Sequence, residues 1–430
     1  MKNNLLKKNL LKKNKLIYNI FTLSSFDIGS KIFNTLLTII LIRILSSEDY
    51  GNYTIFLSIG SYISGIIASG LNLSYVRYES ENISRGNKVT TNLFLLNIFL
   101  VIIFNSIISI TLFLNIDFIM SILGVNQKYV LVSGVFYGIF ISCAVIVEGF
   151  FHSREKYKLS GIILNLRAIA LLISVLLLLA FQIVSVKNII IFYLLVSALN
   201  IVILFIFIFK KFKFKIGGLS KPFLREYFGS SVYLLGYSLF LNLFNQIDIF
   251  MVSGLRGTSE AGQYGVAYRY YAIFLSLLPA IKSVLRVHSS KAEMIDSLEN
   301  QKNLAYWWLK KFTIPIIILI VLTLVFVEPI FILFNGIEYA ASVPVFQVLL
   351  IGVVLSYLFA PYISILMSMK KYKAMLFIAL ISCIVHLILC YYLTIKVGIV
   401  GAAVATVVAH GINNGLAALI VIKNTKEKLL

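Results

Sequence analysis

The 430-residue sequence predicts an all-α integral membrane protein of about twelve transmembrane helices, in two six-helix lobes related by a parallel pseudo-two-fold axis. Three observations predict it. First, 60% of the residues are hydrophobic and 13% charged, too little polar surface for a soluble chain of this length. Second, apolar runs of about 20 residues, the length that spans a bilayer as a helix, recur along the whole chain. A β-barrel would show short alternating segments instead. Third, three patterns recur in the same order about half a chain apart. Ser47-Glu48 with Gly51-Asn52-Tyr53 is echoed by Ser259-Glu260 with Gly262-Gln263-Tyr264. Ser74-Tyr75-Val76-Arg77 is echoed by Ser283-Val284-Leu285-Arg286, and Ser153–Lys158 by Ser368–Lys373.

In chain order, residues 1–16 form a basic tail holding Lys2, Lys7, Lys8, Lys12, Lys13 and Lys15. Asp27 and Lys31 interrupt the next apolar run and no small-residue cleavage site follows, so the tail reads as retained and cytoplasmic rather than as a signal peptide. The first lobe covers 17–209, with spans near 17–44, 53–76, 91–114, 129–151, 159–181 and 188–209. Residues 210–228, basic and carrying Gly217-Gly218 and Pro222, read as a cytoplasmic linker. The second lobe covers 229–422, with spans near 229–253, 262–286, 304–327, 341–366, 374–394 and 399–422, and a short tail at 423–430. With the N-terminus in the cytoplasm, about 30 of the 38 lysines and arginines fall in cytoplasmic tails and loops and about four in outer loops. That bias predicts both termini inside. Six spans per half, an even number, give the lobes the same orientation.

The net charge of +21 follows from this loop bias. No basic soluble domain is visible, so no nucleic-acid partner is expected. The chain lacks a G-x-x-x-x-G-K-[ST] loop, an H-E-x-x-H pair, a C-x-x-C pair and a large outer domain, so no cofactor, metal site or enzymatic activity is expected. Cys143, Cys383 and Cys390 lie in apolar runs and read as packing residues.

An ionisable side chain inside a span costs roughly 2.5–3.5 kcal/mol and needs a partner or a wet cavity. The first span carries Ser24, Asp27, Lys31, Asn34, Thr35 and Thr38 at steps that put them on one helix face. Lys31, one turn from Asp27, can pair with it. The four further polar residues favour a face lining an aqueous cavity over an ion pair used for packing alone. The seventh span has a broader polar face, with Ser238, Asn242, Asn245, Gln246 and Asp248. Arg269 of the eighth span lies at a depth like that of Asp248. The two read either as a structural bridge or, with Asp27, as groups for ion coupling or gating. Arg167 either snorkels to the surface or faces the cavity. Arg77 and Arg286 end matched helices of the repeat. With Lys282, one turn before Arg286, they read as cytoplasmic anchors or as a shared mouth. The candidate cavity set is therefore Asp27, Lys31, Asn34, Arg77, Arg167, Lys282 and Arg286. His386 and His410, mid-membrane on the last two spans, read as hydrogen-bonded packing residues rather than proton carriers.

Four segments carry a family resemblance. Arg43-Ile44-Leu45-Ser46-Ser47-Glu48-Asp49-Tyr50-Gly51 fits R-x-L-x-x-x-[DE]-[YF]-G, and Asp248 to Ala267 fits D…G-x-Y-x-x-A. Leu333-Phe334-Asn335-Gly336-Ile337-Glu338-Tyr339 runs into Val343-Pro344-Val345-Phe346, with Asn335 where a glycine is commoner. Gly398-Ile399-Val400-Gly401-Ala402-Ala403-Val404-Ala405-Thr406 completes the set. Together they resemble the polysaccharide biosynthesis flippases that move O-antigen and capsule repeat units. These stand beside MATE transporters and lipid II flippases in the multidrug/oligosaccharidyl-lipid/polysaccharide exporter superfamily.

The resemblance implies a MATE-like fold with a central cavity that opens alternately to either side of a bacterial cytoplasmic membrane. It implies a flippase rather than an enzyme. The implied substrate is an undecaprenyl-pyrophosphate-linked oligosaccharide, with the lipid bilayer, a polysaccharide polymerase and glycosyltransferases as partners. A cationic, polar cavity suits a pyrophosphate and sugar hydroxyls, because arginine forks onto phosphate oxygens. A cation-coupled drug exporter of the same fold would favour acidic cavity residues, against Lys31, Arg167 and Arg269. A membrane polymerase would need a large outer loop.

Overall fold

Backbone amides inside lipid find partners only within their own helix or a closed barrel. The computed structural model follows the first course. It describes residues 25–84, 91–211, 220–275, 278, 306–369 and 371–427, and no strand occurs among them. The helices are α1 (Ser25–Ile44), α2 (Ser47–Ser64), α3 (Gly70–Ser84), α4 (Thr91–Leu114), α5 (Ile116–Leu123), α6 (Lys128–His152) and α7 (Tyr157–Ala180). They continue as α8 (Val186–Lys211), α9 (Lys221–Arg256), α10 (Thr258–Leu275), α11 (Ile314–Asn335), α12 (Ser342–Ser368), α13 (Tyr372–Val397) and α14 (Ile399–Glu427). Among the described residues 11 helices are long and apolar enough to cross a membrane, the run through α2 and α3 counting as one. The predicted eighth span is represented by α10, and its continuation from 279 lies outside the described residues.

Three local features depart from the sequence expectation, each for a visible reason. The predicted spans near 53–76 and 262–286 leave Ser47 and Ser259 in the connecting turns, yet both lie in the first turns of α2 and α10. Ser46 caps α2 by accepting a hydrogen bond from the Asp49 amide at 3.2 Å, and Glu48 and Asp49 occupy the first turn, where the helix dipole favours acids. α9 starts at Lys221 rather than near 229, because Ser220 caps the Phe223 amide at 3.4 Å and Pro222 fits a first helical turn. The second span is also not uniform: a π-helical turn, Gly65–Ser69, joins α2 to α3. The Gly65 carbonyl there accepts from Ser69 Oγ at 2.6 Å and from Asn242 Nδ2 of α9 at 3.1 Å. Side chains thus satisfy a carbonyl that the irregular turn frees.

The end of the bundle bearing the α1–α2 and α9–α10 turns, called here the turn end, is tightly joined across the two halves of the sequence. Gly51 of α2 lies against the Thr258 carbonyl and Gly262 of α10 against the Ser47 carbonyl, so a Cβ at either would collide with backbone. Between them Ser47 Oγ and Ser259 Oγ lie 2.6 Å apart. The echoed residues therefore meet each other, as matched residues do where they flank a two-fold axis. Arg43 donates to the carbonyls of Leu333 and Phe334, and Glu338 accepts from the Ser47 amide at 2.7 Å. Tyr339 donates to the Leu45 carbonyl at 3.3 Å, and Ser253 to that of Leu123. Away from the turn end, α9 still follows α3 and α4. Tyr227 donates to Asn97 at 2.7 Å, and Tyr78 to the Glu226 carbonyl at 3.3 Å. Near its start α1 is tied to α7, where Asn165 donates to the Phe26 carbonyl at 2.7 Å and Gly161 lies against the Phe26 side chain.

Candidate functional site: a cationic cavity

This unequal packing leaves a polar cavity beside α1. It has two compartments of about 270 Å³ each, and Asn34, Thr38 and Arg269 line both. One compartment lies between α1 and α10 and adds Lys31 and Thr35. The other reaches α2, α6, α7 and α8, and adds Ser30, Tyr53, Ser61, Tyr137, Arg167 and Tyr193. Ser30, Asn34 and Thr38 stand four residues apart on α1, so helical periodicity alone aims them into the same space.

Two guanidinium groups define its chemistry. Arg167 of α7 donates from Nη2 to Tyr137 Oη at 2.7 Å, and its guanidinium carbon sits 5.6 Å from that ring's centroid. Its buried Nε has no acceptor among the described residues. Arg269 of α10 lies among the phenols of Tyr50, Tyr53, Tyr137 and Tyr193. Tyr53 and Tyr193 are themselves locked together, hydroxyl to hydroxyl, at 2.6 Å. Among the described residues neither arginine pairs with a carboxylate. The arrangement offers two fixed cationic forks within a wall of hydroxyls, the donor set for an anionic, oxygen-rich ligand. Lys31 is partly neutralised: its Nζ lies 2.5 Å from Asp27 Oδ2, and both side chains are about one-third exposed, at 33% and 36%.

Asp248 is elsewhere, and no Asp248–Arg269 bridge forms. The reason is helical phase. Tyr264, Tyr268 and Tyr271 of α10 form a stripe facing α9 and α14. Tyr264 bonds Thr406 at 3.2 Å, Tyr268 donates to the Asn245 carbonyl at 3.3 Å, and Tyr271 bonds His410 at 3.2 Å. Arg269 is turned by about 100° from Tyr268 and so points away from that stripe, into the cavity. Asp248 instead meets His386 of α13, whose Nε2 lies 2.7 Å from Asp248 Oδ1, with both side chains sealed at 0% and 1% exposure. Cys390, one turn on, has its Sγ 3.8 Å from the same oxygen. His386 and His410 are both hydrogen-bonded side chains.

A family model described as "Polysaccharide biosynthesis protein" matches residues 16–286, more than half of the chain. The chain belongs to the polysaccharide biosynthesis protein family. No curated protein matches it in sequence. In fold, this polysaccharide biosynthesis protein is similar to a multidrug resistance MATE transporter of the MOP superfamily in an inward-facing conformation, with a TM-score of 0.77 at 12% identity over 95% of both chains. It is similar to the lipid II flippase MurJ in an inward closed conformation, with a TM-score of 0.70 at 15% identity over 98% of this chain and 91% of the other. A third similar structure is a MOP superfamily transporter from Pyrococcus furiosus, described by the reverse polarity of its binding pocket, with a TM-score of 0.66 at 12% identity over 96% of both chains.

Of the site residues expected from sequence, Lys31, Asn34 and Arg167 line one cavity, and Asp27 stands beside it on Lys31. Arg269, expected at a bridge or gate, joins them. Arg77 lies on α3 with its side chain outside the described residues, and Lys282 and Arg286 lie wholly outside them. Sequence reasoning missed Tyr53, Tyr137 and Tyr193, because a tyrosine in an apolar run looks the same whether it packs or lines water. It also missed the Arg154–Glu79 pair, 2.7 Å apart and 7% and 0% exposed, because both residues fell beyond the predicted span ends. Glu148, near His152 at 3.6 Å, carried a readable signal as a lone acid in the run Val145-Ile146-Val147-Glu148-Gly149.

Proposed function

We propose that this protein is a flippase that carries an undecaprenyl-pyrophosphate-linked oligosaccharide from the cytoplasmic to the outer leaflet of a bacterial cytoplasmic membrane by alternating access. The observation that carries the reading is the pair Arg167 and Arg269, two guanidinium groups on a hydroxyl-rich cavity with no carboxylate partner among the described residues. A diphosphate supplies the missing anions, one phosphate per fork, and the sugars meet the tyrosines, Asn34 and Thr38. The lipid tail stays in the bilayer beside α1. The two lobes, 17–209 and 229–422, rock against each other about the cavity, with both termini and the linker in the cytoplasm. In that orientation the turn end faces outward and is shut in the present conformation. A membrane potential that is negative inside favours outward movement of the head group by about 2.3 kcal/mol per charge per 100 mV. Asp27, beside Lys31, is the proposed group for any coupled ion. A polymerase and glycosyltransferases are the proposed pathway partners.

The test uses proteoliposomes holding a lipid-linked oligosaccharide labelled on the sugar. A Ser47→Cys, Ser259→Cys variant, joined by a disulfide at the turn end, is expected to stop leaflet exchange, and reductant to restore it. Exchange that continues through the oxidised variant overturns alternating access at this face. Uptake of a lipophilic cation in place of the labelled lipid would favour the drug-exporter reading instead.

A further inference from the structure

The Asp248–His386–Cys390 cluster takes no part in the cavity, and its chemistry is of another kind. His386 and Cys390 are four residues apart on α13, so one helix face presents an imidazole nitrogen and a sulfur to the carboxylate of α9. That spacing on a helix, with a third ligand from a facing element, is a recurring way to hold a metal ion. The ligand atoms of all three lie within 4.8 Å of one another. Exposure is 1% for Asp248 and 0% for His386 and Cys390. Asp248 Oδ2 and His386 Nδ1 have no hydrogen-bond partner among the described residues.

Charge sharpens the case. Asp248 meets the His386 imidazole at 2.7 Å and the weakly donating Cys390 thiol at 3.8 Å through one oxygen, and its other oxygen has no partner among the described residues, so its burial is poorly compensated. A divalent ion changes the balance. It binds the Asp248 carboxylate, neutral His386 and Cys390 as the thiolate, and the Cys390 proton leaves to water. Ion, carboxylate and thiolate then sum to zero charge, the state that a membrane interior favours. Ligand softness selects the class of ion: nitrogen and sulfur suit zinc, whereas sodium, calcium and magnesium prefer all-oxygen shells. Tetrahedral zinc with ordinary bond lengths sets oxygen and sulfur about 3.5 Å apart and oxygen and nitrogen about 3.3 Å apart. The Asp248–Cys390 separation of 3.8 Å is close to this. The Asp248–His386 separation of 2.7 Å has to open by about 0.6 Å, a small rotation of the imidazole. The fourth position of a tetrahedral ion would fall to a water molecule, as in other sites with three protein ligands.

We propose that Asp248, His386 and Cys390 form a buried zinc site that ties α9 to α13. The site stands apart from the transport reading and needs none of the cavity residues.

The experiment uses the full chain purified in detergent from cells grown with Co²⁺ in place of zinc. The expected result is one cobalt per chain, with the near-ultraviolet charge-transfer band of a cobalt–thiolate bond and the visible bands of a tetrahedral ion. Exchange into Zn²⁺ should abolish both and raise the melting temperature. Cys390→Ser should lose the charge-transfer band. A Cys143→Ser, Cys383→Ser double variant keeps Cys390 as its one thiol and should retain the band, so the proposal stays testable even if Cys390→Ser fails to fold. Protein that carries no cobalt overturns the site, as does a band that survives Cys390→Ser or vanishes in the double variant.

Discussion

Arg269 and Asp248 lie on consecutive helices, and each is an ionisable side chain far from a chain end, yet they occupy opposite media. Arg269 opens onto a cavity wide enough for water, among tyrosine hydroxyls, with no acid beside it among the described residues. Asp248 is sealed at 1% exposure against an imidazole and a thiol. A charge kept wet can wait for a ligand, whereas a charge kept dry must be neutralised by the protein itself or by an ion it holds. On the readings proposed above, the difference separates a binding surface from an internal fastening, though the two residues are 21 positions apart in the same hairpin.

The comparison can be broken most strongly at the dry site. His386→Phe removes the closer partner of Asp248 and leaves the buried carboxyl group with only the weak Cys390 thiol, which should cost about 3–5 kcal/mol in stability. Thermal unfolding in detergent reads this, and a melting curve like that of the wild type would show that Asp248 is not held as a buried charge. Next in size is the wet site. Arg167→Ala with Arg269→Ala should reduce lipid-linked oligosaccharide exchange by at least about a hundredfold, from two charge-assisted contacts worth about 1.5–3 kcal/mol each, while melting stays close to wild type. Loss of stability without specific loss of exchange would move both arginines into the structural class. Lysine at either position should restore only part of the rate, since an ammonium cannot fork.

The Asp27–Lys31 pair tests the intermediate case, being half wet. Removing both charges should alter stability by about 0–1 kcal/mol, as for exposed pairs, and slow exchange by several-fold. Full exchange in an Asp27→Asn, Lys31→Met variant of normal abundance would exclude the pair from the cavity's work. The smallest effect is expected at Arg77 and Arg286. If they form a mouth that collects phosphate, Arg77→Lys with Arg286→Lys lowers exchange a few-fold, whereas simple anchoring tolerates lysine. Arg225→Lys serves as the silent control, and equal rates in all three proteins would leave the mouth without support.

Much of this contrast was legible in the sequence. Apolar run length and the lysine and arginine bias gave the helices, because membrane thickness and loop charge act on composition directly. The polar face of α1 was readable because its residues share one helix and one period. The fate of Asp248 was not. Depth along two neighbouring helices suggested Arg269 as its partner, but partners are chosen by rotation as well as depth. The stripe Tyr264, Tyr268, Tyr271 fixes that rotation through contacts with Thr406, Asn245 and His410, two of which come from a helix more than 100 positions away. The tyrosine wall was hidden for a related reason: its members come from α2, α6 and α8, and nothing local joins Tyr53 to Tyr137 or Tyr193.

The long helix α9 has a mechanical consequence. Its 36 residues run without a break from Lys221 to Arg256, about 54 Å at the usual rise per residue. An unbroken rod of that length is a lever. Tilting it by about 10° displaces one end relative to the other by about 9 Å, roughly the width of one helix. One end carries Lys221, next to the segment that joins the two halves, and the other carries Arg256 at the turn that meets Ser47. A small torque applied near the linker therefore becomes a helix-sized stroke at the far face, with no need to melt or rebuild any part of the span.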